Sequence, residues 1–119
     1  MSELQDEERI VDPNAAVDYM IKHAKAYSKA EAEKVYMEEY RKTIKCELMK
    51  EAELDGHKTA AMQEREAYAH PRYKKHLEAL SEAVQHREFL RWQLIAAQAR
   101  IEVWRSMEAS NRRIEKATL

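Results

Sequence analysis

Apolar residues return every three or four positions along most of the chain, the spacing of helix faces rather than strands. Asp12-Pro13 reads as an N-cap followed by Pro at the first helical position, where its missing N–H is no loss. Val17, Met20, Ile21, Ala24 and Tyr27 then form an apolar stripe at helical spacing. Ser28-Lys29-Ala30-Glu31 fits a capping box, whose Ser and Glu satisfy each other's backbone donors. This predicts a break near Ser28, with helices over about 13–27 and 29–54; one unbroken helix is the rival reading. Met37, Tyr40, Ile44 and Leu48 mark the buried seam of the second segment. Asp55-Gly56 ends it, because Gly suits the left-handed C-cap position. Thr59 caps a short helix over 59–69, and His70-Pro71 disfavours helical geometry at His70 and resets the chain.

From Pro71 to about Lys116 nothing interrupts a helix, and 46 residues at 1.5 Å rise would span roughly 70 Å. A heptad fits it, with Tyr73, Leu80, Arg87, Leu94 and Ile101 at a and His76, Ala83, Leu90, Ala97 and Trp104 at d. Arg87 interrupts the register, while Leu77, Val84, Trp92 and Ile95 widen the stripe. A stripe that broad calls for more than one neighbouring helix. The expected fold is all-α: a helical hairpin or bundle with a long, coiled-coil-like C-terminal helix. Residues 1–11 read as a flexible acidic arm and residues 12–119 as a single helical domain.

Composition sharpens this. The 119 residues include one Gly and two Pro, where an average chain of this length has about eight Gly. A β-rich or loop-rich fold, which depends on Gly for turns with φ > 0, is excluded on that count. Charged residues reach 36% and the net charge is −1, so no overall field draws the protein to nucleic acid or membrane. The balance is uneven, however. Residues 71–119 hold ten basic and six acidic side chains, a surplus of +4, which leaves −5 on the rest. The single Cys46 has no intrachain disulfide partner, no run approaches the ~20 apolar residues of a membrane span, and the start is no signal peptide. A cytoplasmic setting is expected, and no membrane partner.

Chemical motifs are scarce. Gly56-His57-Lys58-Thr59 imitates the end of a phosphate-binding loop, but Glu51 stands where the earlier Gly is required and no strand precedes it. The residues three before the five His are Met20, Leu54, Ala67, Tyr73 and Ala83, so the Glu-x-x-His of a carboxylate di-iron bundle is missing. His-Glu-x-x-His is absent too, and Cys46 has no Cys partner for zinc. Glu66/His70 and Glu82/His86 share helix faces, an arrangement more typical of surface contacts. Cys46 reads as a small packing residue beside the seam rather than an activated thiolate. No catalytic residues, cofactor or metal are assigned, and the chain is read as non-enzymatic.

The basic end of the long helix offers more. Arg100, Arg105, Arg112, Arg113 and Lys116 would neutralise phosphates, although cations there also complement the helix dipole. Leu90, Trp92, Leu94, Ala97, Ile101 and Trp104 are the expected oligomer or partner interface, with packing inside one subunit as the competing role. The stretch Gln63-Glu64-Arg65-Glu66-Ala67-Tyr68-Ala69-His70-Pro71, with Leu90-Arg91-Trp92 and the run from Ala99 through Trp104 to Arg112, resembles a family of short helical proteins. That family is encoded by tailed bacteriophages and prophages, often among recombination and replication genes. With the +4 helical half and Trp92 and Trp104, the resemblance implies a non-enzymatic accessory protein that binds DNA, a recombinase or a single-strand-binding protein in the host cytoplasm, and the breadth of the apolar stripe predicts that it is a dimer. The alternatives are a helical inhibitor or adaptor docking on a host protein, and a structural virion component.

Overall fold

The structure, a computed structural model, describes residues 12–118; the predicted acidic arm lies outside them. Three helices follow in order: α1 (Pro13–Leu54), α2 (Ala60–Ala69) and α3 (Pro71–Thr118). The protein is all-α, as the apolar spacing predicts, with no strand among the described residues.

Each boundary has a local cause. Asp12 Oδ1 accepts from the Asn14 and Ala15 amides at 3.0 and 3.2 Å, which satisfies two N-terminal donors of α1. At the other end of α1, Gly56 adopts φ +104°. Its amide donates to Glu53 O at 3.1 Å, and the His57 amide donates to Ala52 O at 3.0 Å. These are the two bonds of a Schellman stop. Thr59 caps α2 by accepting from the Met62 amide at 3.2 Å. His70, with ψ 137°, is extended as the residue before Pro must be. Its Nδ1 accepts from the Arg72 amide at 3.0 Å and so caps α3.

One expectation is corrected. α1 runs through Ser28 without a break, because Glu31 does not serve a capping box: its carboxylate takes the Arg87 guanidinium instead. The chain divides into two compact units, with boundaries at Tyr27/Ser28 on α1 and at Glu88/Phe89 on α3.

In the unit Ser28–Glu88, α1 and α3 run antiparallel. Glu31 meets Arg87, the Met37 carbonyl accepts from His76 Nε2 at 2.8 Å, and Glu47 meets Arg72 at 2.7 Å. Arg87, which interrupts the predicted heptad, is thus a charged tie between helices. α2 closes the unit by setting Ala67 against Ile44 and Leu48, with Tyr40, Met49 and Tyr73 around them. Burying Ile44 and Leu48 contributes about 1.5–3 kcal/mol each. In the other unit the buried residues are Ala16 of α1 and Leu90 and Ala97 of α3.

Two substitutions test this account by chemical denaturation. Leu48→Ala, at a site 2% exposed, is expected to cost about 2–4 kcal/mol. Gly56→Ala meets no neighbour within 4 Å, so its expected cost of about 1 kcal/mol is left-handed backbone strain alone.

Candidate interaction surface

α3 stays helical to Thr118, so the angular position of each side chain follows from about 100° per residue. The predicted interface residues do not share one fate. Leu90 and Ala97 are buried within the chain, Leu94 and Ile101 are half-buried, and Trp92 and Trp104 are exposed. The heptad containing Leu90 and Ala97 therefore supplies intrachain packing.

A second line of residues lies roughly 140° around the helix, and sequence reasoning passed over it except at Trp92. Phe89, Trp92, Ala96, Ala99 and Val103 alternate in steps of three and four, and all five are exposed. Phe89 and Trp92 are each 60% exposed. The Arg91 guanidinium lies 5.5 Å from the Trp92 ring centroid. The available signal was a second apolar register, one residue before the first at Phe89, Ala96 and Val103.

The predicted cations Arg100, Arg105, Arg112, Arg113 and Lys116 are all exposed. Arg105, Arg112 and Lys116, at spacings of seven and four, fall along one edge of α3, with Arg113 beside them. Arg100 lies on a different side. Arg105 reaches Glu102 at 3.4 Å and Arg112 Nε donates to the Glu108 carbonyl at 3.4 Å. Arg113 and Lys116 make no ion pair among the described residues.

A further cluster sits in the unit Ser28–Glu88. Lys45 Nζ donates to Glu64 Oε1 at 2.8 Å and lies 4.9 Å from the Tyr68 ring centroid. Tyr68 meets Tyr73 edge-on at 5.2 Å. Lys45, Tyr68 and Tyr73, with Arg41 and Lys42, line a groove of about 340 Å³. The hydrogen bond to Glu64, and then the one to Tyr68, raises the Lys45 pKa; the bond from Lys45 pulls the Glu64 carboxyl below its ordinary range. Sequence spacing carries no signal for this pair, which bridges α1 and α2. A shallow groove of about 90 Å³ includes Glu51, Asp55, His57, Glu66 and His70, yet no metal-holding group of His, Cys, Asp or Glu forms among the described residues. Cys46 is exposed, not a packing residue.

No helix among the described residues is long and apolar enough to cross a membrane. No protein-family model, curated protein or solved structure matches the chain.

The Lys45–Glu64 pair yields a pH prediction. A carboxyl whose pKa falls on folding contributes stability above its unfolded pKa, and that contribution is lost as the pH drops through the folded value. The pair is part-exposed, so the effect is small. The melting temperatures of the native protein and Glu64→Gln are expected to converge as the pH falls from about 6 to about 3. A constant gap across that range would mean the pair contributes nothing.

Proposed function

We propose that the protein is a non-enzymatic accessory factor of phage DNA recombination or replication, acting in the host cytoplasm as a homo-oligomer. It meets DNA, or a protein that holds DNA, through the C-terminal turns of α3. The observation that carries this reading is the exposed Arg105–Arg112–Lys116 edge with Arg113 beside it. Arg105 and Arg112 stand seven residues apart, about 10 Å along the helix axis, a reach that takes in successive phosphates of a strand. The likeness to short helical phage proteins gives the cellular context.

Salt-dependent binding to a short DNA duplex tests the reading. Affinity is expected to fall steeply with salt, and Arg105→Ala/Arg112→Ala/Arg113→Ala to lower both the affinity and the logarithmic salt slope, by about 0.9 per phosphate contact removed. Unchanged binding by the triple variant would reject this edge. A second reading, an adaptor or inhibitor that docks on a host protein, draws on the exposed Phe89 and Trp92. A host protein retained on the chain after nuclease treatment, and lost on Trp92→Glu, would favour it.

A further inference from the structure

We propose that the exposed Phe89–Trp92–Val103 face of α3 is where a second copy of this chain docks, helix against helix. This rests on the homo-oligomer part of the function proposed above and gives that oligomer a face.

The first argument is area. An aromatic side chain presents about 150–250 Å². Phe89 and Trp92, each 60% exposed, leave more than half of theirs in water, and Val103, Met107 and Ile114 are 44%, 46% and 61% exposed. Together they leave on the order of 500 Å² of apolar surface on one helix, at the upper end of what a monomer carries. Pairing with the same face of a second copy would bury about 1,000 Å², the threshold for a specific interface, before polar rim atoms are counted.

The second argument is the middle of the face. Ala96 and Ala99 lie between Trp92 and Val103 in steps of three and four, and all four are exposed. Small side chains there let the backbone of a second helix approach closely, with the Phe89 and Trp92 rings beside it. The Arg105–Arg112–Lys116 edge lies on another side of α3 and stays in water.

Sedimentation at micromolar to hundred-micromolar concentration tests the proposal. The native chain is expected to be a dimer, and Trp92→Glu, with its helical circular dichroism retained, to weaken dimerisation by about 30-fold or more. A native monomer throughout would overturn both this face and the homo-oligomer reading. A dimer indifferent to Trp92→Glu would overturn the face alone.

Discussion

Alanine governs this structure. Among the described residues, five of the eight that are buried are Ala16, Ala30, Ala52, Ala67 and Ala97, and no large side chain is fully buried. Helices that meet through methyl groups approach closely but enclose little volume, so bulky residues beside the contact stay at its rim. Phe89, Trp92, Tyr36 and Ile21 are all more than half exposed. A chain built this way keeps its helices through caps and side-chain ties, and presents its apolar bulk outward.

Charge sets the register that such thin packing leaves loose. Glu31–Arg87, Glu47–Arg72 and Lys45–Glu64 each join different helices. Individually, part-exposed pairs contribute little stability. Their value is discrimination: a one-turn slip of α1 against α3 would break Glu31–Arg87 and Glu47–Arg72 together, and would also remove the Met37 carbonyl from His76.

The helix ends were legible because each is a local chemical event. Asp12, Thr59, Gly56 and His70-Pro71 announce their roles within four residues, and the caps form where the residue types require. Ser28 misled because a capping box is a possibility that a stronger distant partner removes, and Arg87 lies 56 positions from Glu31. The apolar stripe of α3 was legible as too broad for one neighbour. Its division was not, since the Leu90–Ala97 and Phe89–Val103 lines both satisfy a heptad and only the fit against α1 and its surroundings decides which is covered. The Lys45–Glu64–Tyr68 cluster and the two-unit division depend wholly on tertiary placement. The cations of the C-terminal turns were readable as exposed, while their separation into an edge without Arg100 required helix geometry.

The central claim is that α3 carries an apolar face left open by its own chain and closed by another molecule. Acrylamide quenching of Trp92 fluorescence in a Trp104→Phe background, followed across protein concentration, reads that closure at the residue concerned. The account predicts strong quenching in dilute solution that weakens as concentration rises and the face is covered. Strong quenching that stays the same at every concentration, with DNA or host extract added as well as without, would contradict it.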